Sequence, residues 1–545
     1  GHQPIYSNDN KFIIIYNGEI YNYQELRNEL KEKGIVFKTN SDTEVIVNLY
    51  QIYGEKMLSK LKGMFSFCIY NIYNNNYFFA RDRFGEKPLF YYQVNDALFF
   101  SSEIYSLLES NKIPRLLDKT KLKTYLYRSY IPEPNTLIQN LKSLPPGHFM
   151  TYKNNNLKIS KYFHIKNEED NSIKSVRDAA NFIKPFLENS VKRQMISDVP
   201  IGAFLSGGID SSSVVSLMQK FSKNKIKTYN IKFKNLDYDE SKIAKKVSNM
   251  IGTDHNEILI ENNSFFEKKF WKILRHTGVP FPDSSAIPTD VVTSNISKHV
   301  KVALSGDGGD ELFAGYEFFE WFLKMDSLKS IPKNIIKSSS FFLELINSSP
   351  IGNNTIRKLN KGLRISLLNK TQQLEEIHAL FDKSELDKIF KIDLPNPDSM
   401  ELDLDENSIL RKSMNYRIKY DLPLDMLIKV DRMSMSNSLE VRNPFLDSDL
   451  FDASCCIPDR FLRNKRLGKI VLRESMKDML PNEVFDHPKS GFSIPLHDFK
   501  NEAFKNLAIE LILNKDYMNE IFNIDVLNKI LQLGIHDKKD SKEGS

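Results

Sequence analysis

Residues 205–213, Leu-Ser-Gly-Gly-Ile-Asp-Ser-Ser-Ser, join a glycine-rich turn to a set of hydroxyls and one carboxylate. The apolar run before them, 199–204, reads as a buried strand, and 214–218 as the first turns of a helix. Strand, glycine turn and helix N-terminus together make an anion site, because backbone N–H groups point at the ligand and glycine lets it approach. Ser206, Ser211 and Ser212 add hydroxyl donors, whereas Asp210 repels an anion unless a divalent cation lies between them. The loop therefore implies a magnesium–nucleotide site, against the plainer reading of a turn with no ligand. A second loop repeats the pattern: strand 300–304 runs into Ser-Gly-Asp-Gly-Gly-Asp-Glu at 305–311, with Asp307, Asp310 and Glu311 in one tight turn. Such charge density is either solvated or neutralised by metal, and Asp210 and Asp310 are the natural pair to share magnesium.

Both loops need a scaffold that brings two strand ends together. Residues 228–233 read as a further strand, and 240–251 as a helix ending at Gly252 as a C-cap should. Strand and helix in alternation predict a doubly wound α/β fold, with the loops at the carboxyl edge of a parallel sheet. The Walker pattern requires a lysine that the first loop lacks. The loop resembles instead the PP-loop, Ser-Gly-Gly-x-Asp-Ser, of enzymes that split ATP between its α and β phosphates.

Further motifs extend that resemblance over nearly the whole chain. They are Gly1-His2-Gln3-Pro4, Asn17-Gly18-Glu19-Ile20-Tyr21-Asn22, Ser41-Asp42-Thr43-Glu44, Ala80-Arg81-Asp82-Arg83-Phe84-Gly85, Val430-Asp431-Arg432-Met433-Ser434-Met435, Leu439 to Asp447 and Lys489-Ser490-Gly491-Phe492. In these the chain resembles the glutamine-hydrolysing asparagine synthetases. The resemblance implies two domains: an α+β glutaminase of the N-terminal-nucleophile type, four-layered αββα, over 1–160, and a PP-loop ATP pyrophosphatase domain with a parallel sheet over 176–545, joined by a linker at 161–175. It implies ATP and Mg2+ as cofactors. Leu205, Ser206, Gly207, Gly208, Asp210, Ser211, Ile231, Ser305 and Gly306 would bind ATP, Asp210 and Asp310 the metal, and Asp307 and Lys489 would serve catalysis. Asn17, Gly18, Glu19 and Asp42 would bind glutamine. The implied reaction is amidation of aspartate through an acyl-adenylate, with glutamine or ammonia as donor and AMP and pyrophosphate as products. Two alternatives stay open: a sugar uronate as acceptor, and a catalytically silent scaffold.

The residues also carry plainer readings. In the first domain, strand 12–16 is expected to close at the turn signal Asn17-Gly18, and helix 23–33 to stop at Gly34. Ser41 to Glu44 has the capping-box pattern and would open helix 45–53, so Asp42 could simply help cap it. From 65 to 101 strands alternate with polar turns, which places Cys68 in the core rather than in a thiolate role beside an α-amine. In the second domain 176–195 is an amphipathic helix, and 320–410 is helical packing. Asp283 either faces the acceptor or caps the helix after it. Lys489, taken alone, is an ordinary solvated loop lysine.

Composition bounds the rest. At 545 residues, 41% hydrophobic and 27% charged, the chain suits two or more globular domains. A net charge of +6 without a basic block indicates no nucleic-acid partner. Cys68, Cys455 and Cys456 have no metal spacing and fit a reducing cytosol. No apolar run reaches membrane-spanning length, so the expected partners are small molecules, and a homodimer is compatible. Residue 1 is Gly and already matches the interior of the family pattern. An upstream stretch bearing the nucleophilic cysteine is therefore expected to be missing, and the polar tail 538–545 suggests the same at the other end.

Overall fold

The computed structural model describes residues 2–233, 240–260, 266–278, 280–320, 331–347, 354–400, 408–486, 502–513 and 515–536. In the first part, β1 (Ile5–Tyr6), β2 (Phe12–Ile20), β3 (Gly63–Asn71), β4 (Asn76–Arg81), β8 (His148–Lys153) and β9 (Asn156–Lys161) form one antiparallel sheet in that order. A smaller sheet has the order β6 (Ala97–Ser101), β5 (Phe90–Val94), β7 (Lys142–Ser143). Helices α1 (Tyr23–Glu32) and α2 (Asp42–Tyr53) bury Leu26, Leu30, Val45 and Leu49 against Ile14, Phe65 and Phe67 of the large sheet. The opposite face of that sheet, with Cys68, Phe79 and Met150, packs on Leu89 and Tyr91 beside the small one. Beyond it, α3 (Ile104–Glu109) covers Phe90 and Tyr92. These are the four layers α, β, β, α, built because strand side chains alternate between faces and each apolar face must be covered.

Two local expectations fail here. Asn17-Gly18 is not a turn: β2 runs through it to Ile20, with Asn17 opposite Ser66 and Gly18 opposite Phe65. Nine residues of continuous pairing with β3 outweigh a local turn preference. Ser41 does cap α2, accepting from Thr43 N at 3.2 Å, but Glu44 does not close a box. It accepts instead from Lys38 N and Thr39 N, both at 2.7 Å, and so pins the approach to the helix.

The second part is a five-stranded parallel sheet in the order β12 (Asp254–Ile260), β11 (Lys227–Phe233), β10 (Ile201–Phe204), β13 (Val302–Leu304), β14 (Glu440–Arg442). It begins after α4 (Leu122–Arg128) and α5 (Val176–Gln194), the latter opened by a Ser175–Asp178 capping box. Helices α6 (Ile209–Phe221) and α5 cover one face, and α7 (Ser241–Ile251) ends at Gly252 in the left-handed region (φ 85°). Helix α8 (Phe266–Thr277) and then α9 (Ala286–Ile296) follow, α9 burying Val292 and Ile296 on Tyr229 and Ile231 of the other face. The chain moves outward from β10 to β11 and β12, then returns to place β13 on the other side of β10. The order of strands thus reverses between β10 and β13, which makes their carboxyl ends the switch point where such sheets bind ligands.

The parts interlock. Residues 116–138 leave the first part, and α4 packs Leu122 and Tyr127 on Leu386, Ile389 and Phe390 of the second. Arg128 pairs with Glu375 at 3.1 Å, and Tyr130 donates to Asp421 at 2.5 Å. Asp421 belongs to Arg417–Met426, ten residues wound as a π-helix around Pro423, a winding whose wider turn accommodates a residue without an N–H. That segment leads directly into the helix Leu427–Met435. No helix among the described residues is long and apolar enough to cross a membrane.

Candidate functional site

The loop after β10 is preformed. Ser206 and Ser211 place their Oγ atoms 2.9 Å apart, Ser211 Oγ takes the Ser206 N–H at 3.2 Å, and Gly208 N donates to Ser206 Oγ at 3.3 Å. The strand before it is shorter than its apolar run, and α6 starts at Ile209 rather than near 214. Asp210 and Ser211 therefore stand in the first turn of a helix, where the free N–H groups lie. Leu205 is anchored beneath the loop by Tyr229 O, 2.9 Å from its N, and by Asn230 Nδ2, 2.8 Å from its O. Ile231 spends its side chain on the core with Val292 and Ile296, so its backbone is what remains for a ligand.

The loop after β13 lies directly against the first. Ser305 N donates to Arg442 O at 2.9 Å, and Ser305 Oγ donates to Asp307 at 2.6 Å. Helix α10 (Gly309–Leu312) then carries Asp310 and the buried Glu311, which accepts from Tyr316 OH at 2.6 Å. A Cβ at Gly309 would strike the Asp210 carboxylate, and one at Gly315 would strike Asp310 and the Lys469 side chain. The glycines are there because the two loops and a lysine share one small space.

That lysine was not among the expected residues. Lys469 is only 6% exposed, and its Nζ lies 2.7 Å from Asp310 Oδ1 and in contact with Asp210 Oδ2. Burial would strip its proton, but the carboxylates of Asp210 and Asp310 outweigh burial and raise its pKa. Asp210 and Asp310 thus converge on one position, and an ammonium from a distant segment holds it. Two carboxylates are a set magnesium accepts when substrate phosphates and waters supply the other ligands. No signal near Lys469 in the sequence points to this role.

Two further residues flank the second loop. Lys429 donates to Asp283 at 2.8 Å and to Ser285 Oγ at 2.8 Å. Burial opposes the charge on both partners, yet Lys429 and Ser285 hold the Asp283 carboxyl low, while Asp283, Asp425 and Asp307 keep Lys429 protonated. Asp283 is no N-cap: it takes the Ser285 N–H at 2.8 Å as a turn ahead of α9. Lys489 lies outside the described residues.

The expected glutamine residues are also gathered. Asp42 Oδ2 accepts from Tyr16 OH at 2.9 Å and from Ile20 N at 3.1 Å, which ties α2 to β2 on either side of Asn17, Gly18 and Glu19. Asn17 Nδ2 donates to Ser102 Oγ at 3.2 Å. Glu19 faces Arg442 of β14 at 3.7 Å, and burial pushes its carboxyl up to about 8 despite that guanidinium. Arg442 reaches from the strand whose backbone holds Ser305, and its neighbour Asn443 donates to buried Glu86 at 2.8 Å. Cys68 is buried in the core, and burial raises its thiol pKa, which suits no thiolate.

A family model described as asparagine synthase matches residues 183–544, and one for a glutamine amidotransferase domain matches residues 1–163. The chain belongs to the asparagine synthase family. It is similar to glutamine-hydrolyzing asparagine synthetase 1 of Bacillus subtilis (strain 168), 34% identical over 99% of this chain and 85% of the relative. The glutamine-hydrolyzing asparagine synthetase 3 of the same organism is 28% identical over 90% of this chain and 77% of its own length. An amidase, chyE, of Penicillium rubens is 25% identical over 91% of this chain and 79% of its own length. The protein is thus an ATP-dependent carbon–nitrogen ligase of the glutamine-hydrolysing asparagine synthase type, with glutamine as amide donor.

Proposed function

We propose that this asparagine synthase family member activates the β-carboxylate of aspartate as an acyl-adenylate and amidates it with ammonia drawn from glutamine. The convergence of Asp210 and Asp310 on one buried cation position, at the switch point of the sheet, carries this reading. In it the N-terminal turn of α6 and the hydroxyls of Ser206 and Ser211 hold the phosphates. Magnesium held by Asp210 and Asp310 would supply charge to the polyphosphate. Asp307, hydrogen-bonded by Ser305, would attend the adenylate, and Lys489 would supply the cation for the α phosphate that the family resemblance assigns to it.

The charges at the second loop favour an amino acid over a uronate. Lys429 offers an ammonium to an α-carboxylate, while Asp307 and Asp425 lie in its field and suit an α-ammonium. Asp425 is pushed up to about 6 by burial and by Asp283, so a bound ammonium would favour its ionised form. A uronate has no cation to offer this carboxylate group. Pyrophosphate release with ammonium and ATP should therefore require aspartate and yield asparagine by mass spectrometry. Release with a sugar uronate and none with aspartate would overturn the assignment.

Ammonia would cross between the parts through a cavity of about 70 Å³ lined by Phe90, Ile104 and Tyr130 on one side and Phe281, Pro423 and Ile428 on the other. That space admits a small neutral molecule. At the glutamine end, Glu19 is protonated below its pKa of about 8 and then has no charge for the glutamine ammonium. Glutamine affinity is expected to rise with pH by up to about tenfold per unit and level off near that pKa. Calorimetric titrations across this range should show the rise in the native protein, and Glu19→Gln should flatten it.

A further inference from the structure

We propose that Lys469 is a built-in counter-ion that closes the Asp210–Asp310 position to free divalent metal, so that metal enters only together with nucleotide. The inference rests on the assignment of those carboxylates to magnesium. Its ground is the way the lysine is held. The side chain crosses the bare face of Gly315, where a Cβ would collide with Lys469 Cε, and its backbone N donates to Phe313 O at 2.9 Å. The preceding Gly468 lies so close to Ala314 that a Cβ would strike the Ala314 carbonyl. Both Ala314 (φ 52°) and Lys469 (φ 56°) take left-handed backbone, a conformation that non-glycine residues hold only when their surroundings impose it. Arg463 Nη1, buried, fixes the Ala314 carbonyl at 3.1 Å. The ammonium is thus delivered to the two carboxylates by a braced backbone and not by a free surface arm.

The consequence is electrostatic. Two carboxylates and one ammonium leave a net charge of −1 at the position. A bare divalent ion must either displace the ammonium, leaving it buried without its partners, or sit against a like charge within a few ångströms. Nucleotide removes the conflict, because its phosphate oxygens bring enough negative charge for both cations. Arg473 adds to the exclusion, since it lies within the field of Asp210.

Binding of Mn2+ followed by electron paramagnetic resonance tests this without catalysis. Titrations would use the native protein, Lys469→Met and Lys469→Arg, each with and without an ATP analogue methylene-bridged between its α and β phosphates. Lys469→Met should take up Mn2+ alone about tenfold or more tightly than the native protein, because its carboxylates have lost their counter-ion. It should also be stabilised by Mn2+ in thermal melts. Lys469→Arg keeps the charge and should bind Mn2+ alone no better than the native protein. Equal binding of Mn2+ alone by the native protein and Lys469→Met would overturn the proposal, as would an arginine variant that admits the metal. Should Lys469→Met fold only when Mn2+ is supplied, that rescue supports the proposal. Failure of the native protein to bind Mn2+ even with the analogue would remove the magnesium assignment itself, and the inference with it.

Discussion

Asp210→Asn should reduce ATP-dependent pyrophosphate release by about a thousandfold while leaving the protein folded. Asparagine has the shape of aspartate, so the contact across Gly309 and the first turn of α6 survive the change. What is lost is one of two charges. Lys469 keeps Asp310 at 2.7 Å and stays paired, so no buried ion is orphaned. A cation held by a single carboxylate has weaker binding and poorer placement between the two loops. The measurement is pyrophosphate release with saturating ammonium and aspartate, set beside a thermal melt. A folded variant that retains activity would sink the shared-cation assignment, and loss of the fold would show that the pair matters mainly for stability.

Lys489→Ala should slow adenylation by about a hundredfold to a thousandfold with little change in ATP affinity. Negative charge grows on the α-phosphate oxygens as the acyl-adenylate forms, so a fixed cation there acts more on the transition state than on the ground state. Lys489→Arg should restore only part of the rate, because a planar guanidinium does not replace the point charge of a compact ammonium. Single-turnover formation of the adenylate, measured beside nucleotide binding, separates the two effects. Collapse of affinity with a normal rate at saturation would make Lys489 a binding residue only.

The loops that carry Asp210 and Asp310 were legible because their signals are local. A strand feeding a glycine turn and a helix N-terminus is written in consecutive residues, and it recurs at 205–213 and 305–311. Alternation of strands and helices then implied a parallel sheet, and the strand order places both loops at its switch point. Local signals also misled where pairing was stronger. Asn17-Gly18 carries a turn preference, but a nine-residue ladder with β3 runs straight through it. Glu44 has capping-box spacing, yet the chain returning at Lys38 and Thr39 offers it better donors.

By itself, the sequence determined the two-part architecture and the two strand-end loops with their carboxylates, since the loops are encoded in short runs whose backbone conformation depends on near neighbours. Only the tertiary structure decided what those carboxylates face. Lys469 is separated from Asp210 by 259 positions and meets it through a backbone braced against Ala314. Lys429 meets Asp283 from the helix that continues the π-wound segment, and Arg442 reaches Glu19 from the last strand of the other sheet. A buried ion takes as partner whatever opposite charge the packing brings within a few ångströms, and contact order along the chain carries no trace of that choice.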